Sequence, residues 1–192
     1  MDDKNESLSE VMRSELVQIA YITWFTLDLF LDDNRTLVDS FLEREGKELT
    51  PGERSYIEAA RDTHLRLYEV LETKPDQGLG LRDLWDEERL WVVERLASRR
   101  LVSGDVLVAR VGKRTDGKSV FEEAPYLFWP SDKEQLVKLL CGTHQIFTAQ
   151  FRDKGTIDFL KTWCRSFIIG GLSWLCLHPR QRSSVWKTGS RT

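Results

Sequence analysis

Cys141-Gly142-Thr143-His144 sets a thiol and an imidazole three positions apart, and Cys176-Leu177-His178 brings a second such pair at closer spacing. Thiolate sulfur and imidazole nitrogen are the donors that tetrahedral zinc prefers, so Cys141, His144, Cys176 and His178 form the candidate metal set. The spacing argues against it. Gly142-Thr143 falls inside a predicted helix rather than a knuckle turn, and Cys176 lies in an apolar run, where a thiol commonly serves as a small core residue. The reading is therefore no metal and no cofactor. A Cys-His nucleophile would need an orienting Asn or Asp, and none stands at motif spacing. Ser173 lacks the second glycine of a G-x-S-x-G elbow. The neighbouring acids Asp32-Asp33, Asp86-Glu87-Glu88 and Glu122-Glu123 do not by adjacency converge on a cleft, as acid-base catalysis requires. No phosphate loop, dinucleotide fingerprint, H-E-x-x-H or EF-hand pattern occurs. An enzyme with an unrecognised site is kept only as an alternative.

Charged side chains beside turns suit recognition better. Asp86, Glu87 and Arg89 occupy one predicted hairpin, and Lys113, Arg114 and Lys118 another. Arg95, Arg99 and Arg110 add directional charge for a carboxylate or phosphate. The expected function is a non-catalytic binding or adaptor module whose hairpin loops engage a protein partner, since loops on a rigid scaffold carry recognition. Single-stranded nucleic acid is the alternative. Trp85, Trp91, Tyr126 and Trp129 would be stacking rings beside those basic residues.

The elements that must position these residues fall into three segments. Leu16, Ile19, Ala20, Trp24, Leu27 and Leu31 recur at helical spacing, with Ile22, Phe25 and Leu29 as a second apolar row. A short helix with Leu37, Val38, Phe41 and Leu42 inward follows, ended by a left-handed Gly46. Thr50-Pro51-Gly52-Glu53 reads as a capping box opening a third helix, with Tyr56, Ile57 and Ala60 on its apolar face. Strand-compatible runs then alternate with turn clusters: Leu65–Thr73, Leu79–Trp85, Leu90–Leu96, Val106–Val111 and Ser119–Trp129. A competing reading makes residues 86–100 a helix, but turn signals bracket every run. Ser131-Asp132-Lys133-Glu134 predicts a second capping box, with Leu136, Leu140, Phe147 and Phe151 as the buried stripe behind it. The last apolar helix follows Gly155 and runs through Leu160, Trp163 and Cys164 to a stop at Pro179.

The predicted class is thus α+β: a helical N-terminal layer, a small five-stranded antiparallel barrel of SH3-like or OB-like type, and a helical C-terminal layer. The expected divisions are residues 1–63 for the helical start, 64–130 for the barrel, 131–178 for helices on the same core, and 179–192 for a basic flexible tail.

The chain has 192 residues, 41% of them hydrophobic, which excludes a disordered chain. The net charge of −3 gives no global reason to bind nucleic acid or an acidic membrane. Charge is nonetheless polarised, at −8 over residues 1–63, −1 over 64–130 and +6 over 131–192. The longest apolar run, Phe167 to Leu177, is too short to cross ~30 Å of hydrocarbon, so no membrane is expected. The acidic start MDDKNESLSE has no export pattern, and three irregularly spaced cysteines suit reduced thiols in the cytoplasm.

Five stretches occur in a familiar order: Leu49-Thr50-Pro51-Gly52-Glu53-Arg54, Leu67-Tyr68-Glu69-Val70, residues 78–85 (GLGLRDLW), residues 92–99 (VVERLASR) and residues 104–111 (GDVLVARV). Over roughly residues 24–130 this order resembles uncharacterised bacterial proteins that often carry a SEC-C motif, a small zinc-binding cysteine cluster. The C-x-C-x8-C-[CH] cluster itself is absent, so the resemblance carries no zinc site. What it implies is a bacterial cytosolic domain.

Overall fold

The computed structural model describes residues 15–31 and 35–166. Three helices open the chain: α1 (Glu15–Leu27), α2 (Leu37–Glu45) and α3 (Pro51–Arg61). Reciprocal capping starts two of them. The Thr50 hydroxyl accepts from the Glu53 amide at 3.3 Å, and the Glu53 carboxylate accepts from the Thr50 amide at 2.9 Å. Thr36 and Asp39 do the same for α2. Each such cap stabilises by about 1 kcal/mol. Leu27, Val38 and Leu42 form the centre of this layer, with Leu49, Ile57 and Ala60 against them.

The expected inward faces need correction here. Phe41 and Tyr56 are exposed, as are Ile22 and Phe25 of the second apolar row on α1. Gly46 ends α2 in a right-handed conformation, φ −62°, and not the left-handed one.

The barrel follows as β1 (Leu65–Lys74), β2 (Gly78–Asp83), β3 (Arg89–Val92), β4 (Val106–Lys113), β5 (Ser119–Phe121) and β6 (Tyr126–Phe128). Residues 86–100 hold no α-helix; a single 3-10 turn, Ala97–Arg99, lies there. Around the ring the order is β1-β2-β3-β5-β4, and β4 returns to β1. Alternating directions can close a ring only when the number of strands is even. Five is odd, so one neighbouring pair must be parallel. That pair is β3 and β5, joined where Val92 faces Ser119. The fold class is α+β as expected, but the barrel is mixed rather than wholly antiparallel. The stretch expected as one last strand is two. Glu122 to Pro125 separates β5 from β6, and β6 pairs with Val106–Val108 of β4 outside the ring.

Side-chain alternation sorts two cores. Tyr68, Val70, Leu79, Leu81, Val92, Leu107 and Ala109 fill the barrel interior, with Ala97 and Leu101 plugging one end. Leu65, Leu67, Val106 and Val108 point outward, under the helices. The helices on that face are α1, through Trp24, and two that follow the barrel: α4 (Lys133–Gln150) and α5 (Thr156–Ser166). Leu136, Leu140 and Phe147 come from α4, and Phe159, Leu160 and Trp163 from α5, whereas Phe151 and Ile157 are exposed.

The second predicted capping box does not form. A 3-10 turn, Pro130–Asp132, leads into α4, and the Asp132 carboxylate accepts from the Trp129 amide at 3.2 Å. Asp132 thus takes the return-arm role expected of Glu134, and no side chain caps the start of α4. Among the described residues no helix is long and apolar enough to cross a membrane. The Phe167–Leu177 run, Cys176, His178 and the 179–192 tail lie outside the described residues.

Candidate functional site: a charged barrel rim and a buried ion cluster

Strand register decides which loops share an end of the barrel. Tyr68 faces Asp83 and Leu65 faces Arg110, so β2 and β4 both finish where β1 begins. The β2–β3 loop and the β4–β5 turn therefore leave from that same end, which we call the mouth. Asp86, Glu87 and Arg89 lie there, with Lys113, Arg114 and Lys118, and all six are exposed. The parallel pairing of β3 with β5 brings Arg89 towards the turn at Arg114–Lys118. Glu87 (φ 62°) and Gly117 (φ 81°) adopt the left-handed backbone that these tight reversals need.

Several of these charges are already engaged. Arg66 Nη1 reaches Asp83 at 2.6 Å and Asp86 at 2.7 Å. Arg82 bonds Glu87 at 3.1 Å and also pairs with Glu69. Lys118 meets Asp116 at 3.0 Å.

Arg95 and Arg99 are at the opposite end. Arg99 Nε donates to Asp76 Oδ1 at 2.6 Å, and Arg95 lies 3.7 Å from the same oxygen. They cannot work on one surface with the hairpins.

Arg110 must be removed from the partner-binding set altogether. Its side chain is 0% exposed, because it shares the outward face of β4 with Val106 and Val108 and the helices cover that face. It pairs with Asp28, just beyond α1, and Nη1 donates to the Thr63 carbonyl at 2.6 Å. Glu123 Oε1 lies 3.9 Å from its Nε. Close by, Lys161 of α5 donates to the carbonyls of Leu27 at 3.1 Å and Arg61 at 3.3 Å. Two buried cations thus meet carbonyls at the C-terminal ends of α1 and α3, where cations are favoured. Burial raises the Glu123 carboxyl to about 7; Asp28 adds to the rise and Arg110 opposes it.

Asp83 sits at the interior-facing parity of β2, closing the mouth with Arg66. Burial holds its carboxyl above the usual range despite that guanidinium. His64 Nε2 accepts from Arg66 Nε at 3.1 Å. Burial first, then Arg66, Arg110 and Lys161, lowers the His64 imidazole to about 4, so it is neutral at pH 7.

The rings proposed for base stacking are mostly engaged elsewhere. Trp85 packs against His144 and Phe159, with centroids at 4.6 and 5.5 Å. Lys74 lies 5.1 Å over Trp91, Tyr126 is half-buried, and Trp129 alone of the four is exposed. Of the metal set, Cys141 is exposed on α4 and His144 is held edge-on between Trp85 and Phe159. Among the described residues no group of three or more His, Cys, Asp or Glu is placed to hold a metal. A cavity of about 170 Å³ between α4 and α5 has a largely apolar lining that includes Phe147, Phe159 and Trp163.

Residues 8–146 match a family of unknown function, DUF7986. The chain belongs to DUF7986. The match takes in the whole barrel, both hairpins, and Asp28, Arg110 and Glu123, but ends inside α4, so Lys161 and the rest of α5 lie beyond it. No curated protein and no solved structure matches the chain.

The sequence reading passes over Asp28, Arg66, Asp83 and Lys161, and weighs Glu123 only as the neighbour of Glu122. A signal for the buried cluster existed. Val106 to Val111 is apolar at both parities, the pattern of a strand covered on both faces, and Arg110 lies within it.

Proposed function

We propose that the chain is a non-catalytic cytoplasmic binding module that engages a protein partner through the mouth of its barrel. The observation that carries the reading is the convergence of two exposed, charged turns at one end of a barrel whose interior is filled by its own side chains. Glu88, Arg89, Lys113 and Arg114 are the exposed rim charges with no ion pair among the described residues. They give the rim both signs of charge, which favours register with a protein surface over general attraction to a polyanion. Membership of DUF7986 supplies no activity to set against this reading. The relation to bacterial SEC-C-bearing proteins belongs to the same proposal.

The test is co-purification with the full chain as bait, followed by identification of the bound protein. The same purification is then run with Arg89, Lys113 and Arg114 replaced by alanine. Loss of the bound protein with retained fold is expected. Undiminished capture by the triple variant overturns the reading. Titration with single-stranded DNA at two salt concentrations is the control. Tight binding that weakens steeply with salt would replace the protein partner with a phosphate backbone.

A further inference from the structure

Glu123 lies on the link between β5 and β6, and its side chain is 3% exposed. Every element around it presents a polar or charged group. From β4 comes Arg110 Nε at 3.9 Å. The Thr23 side chain, from α1, faces the carboxyl and favours its charged form, and Asp28 follows at the end of that helix. β6 supplies the half-buried Tyr126, whose phenol lies in the field of Glu123. The α3–β1 junction places Thr63 on Arg110 and His64 within its field, and α5 brings Lys161.

The geometry is unequal between the two acids. Both terminal nitrogens of Arg110 are directed at Asp28, and one also takes the Thr63 carbonyl. Only Nε faces Glu123, beyond hydrogen-bond distance. Ionised, Glu123 would be stripped of water in this seam with neither oxygen hydrogen-bonded, a cost that exceeds the attraction of Arg110, and Asp28 adds a smaller repulsion. A charged carboxylate would draw water into the seam between the barrel and α1, because Thr23 and Asp28 belong to α1 and its end while Glu123 belongs to the barrel.

We propose that Glu123 is a proton-operated latch: protonated, it holds α1 against the outer face of β4, and ionised, it loosens that helix and uncovers Trp24 and Leu27. The acidity described above places the changeover near neutral pH, which supports the proposal. The latch acts on a different face from the mouth and does not depend on the partner reading.

Hydrogen exchange on the full chain tests it, with protection factors corrected for intrinsic rates and followed from pH 5 to pH 8. The protection of α1 amides is divided by that of the same amides in Glu123→Gln, so that every other titrating group cancels. The ratio is expected to fall by about tenfold per pH unit between roughly pH 5 and 7 and then level off, since only the closed form keeps the proton in that range. β4 amides should stay better protected than α1 amides at every pH, since α1 opens without the barrel. A constant α1 ratio overturns the proposal. So does α1 protection equal to that of β4 throughout, which would mean that the whole fold and not the helix responds. Asp28→Asn is the second variant. It frees the guanidinium for Glu123, so the transition in α1 protection should move to lower pH by more than about one unit; an unmoved midpoint overturns the proposal as well.

Discussion

Arg110 on β4 grips the carboxylate of Asp28, 82 positions earlier in the chain, with both side chains shut away from water. The pair ties the end of α1 to the barrel wall. Breaking such a pair on one side leaves a buried charge without its counterpart, which typically costs 3–5 kcal/mol. Arg110→Met is therefore expected to lower stability by about that amount in urea unfolding. Adding Asp28→Asn should recover most of the loss. Additive losses in the double variant would show that the pair is not the cause.

His64 and Glu123 should pull the pH dependence of stability in opposite directions. The His64 imidazole falls from 6.5 to about 4 on folding, so the unfolded chain holds more protons in that window and stability is lost as pH drops. The Glu123 carboxyl rises from 4.5 to about 7, so the folded chain holds the extra proton and stability is lost as pH climbs. From pH 4.5 to 6.5 the two slopes, each about 1.4 kcal/mol per pH unit, nearly cancel. Relative to the native chain, Glu123→Gln should gain a rising slope over that interval and His64→Gln a falling one. Urea midpoints measured at five pH values check this, and parallel curves for all three proteins would refute it.

Gly78 and Gly112 both stand in strands where a β-carbon would collide, yet the obstacles differ. At Gly78 it would overlap the Val92 carbonyl oxygen and come within 2.9 Å of the Trp91 ring. At Gly112 it would meet the carboxyl end of Glu122, which can swing away. Gly78→Ala is expected to cost more than about 2 kcal/mol, and Gly112→Ala under about 1 kcal/mol. Thermal melts of the two variants give the comparison, and equal losses would contradict it.

The rim charges should contribute little to folding. Lys113 and Arg114 are exposed, and replacing both with alanine is expected to move stability by no more than about 0.5 kcal/mol. A larger drop in the urea midpoint would mean that the turn is a structural strut, and any lost binding in such variants would need another explanation.

Turn chemistry made the barrel legible. Lys74-Pro75-Asp76-Gln77, Asp86–Arg89, Ser103-Gly104-Asp105 and Asp116-Gly117 each separate strands that the structure contains, and Gly104 and Gly117 both take positive φ. Helix starts were readable when hydroxyl and acid stood three apart, as at Thr50 and Glu53. They were not at Ser131, because Pro130 begins a 3-10 turn in which the Asp132 carboxylate, and not that of Glu134, reaches back to an upstream amide, that of Trp129. Faces were harder to read than elements. Phe41, Tyr56 and Phe151 are apolar residues at helical spacing that remain exposed, since the stripe facing the core is narrower than the run of apolar residues. The candidate site was half legible. Loop charges announce themselves by sequence, but which end of the barrel a loop leaves from depends on register. That placed Arg95 and Arg99 away from Lys113 and Arg114.

The seam between β3 and β5 rests on Val92 opposite Ser119, reinforced by the Val93 amide bonding the Ser119 carbonyl at 2.9 Å. Every other joint in the ring has at least three facing residues. A hoop with one short weld opens there before anywhere else. When it does, the ribbon that results has β3 and β5 as its free margins, and the filling of Val70, Leu81 and Leu107 is laid bare along one side.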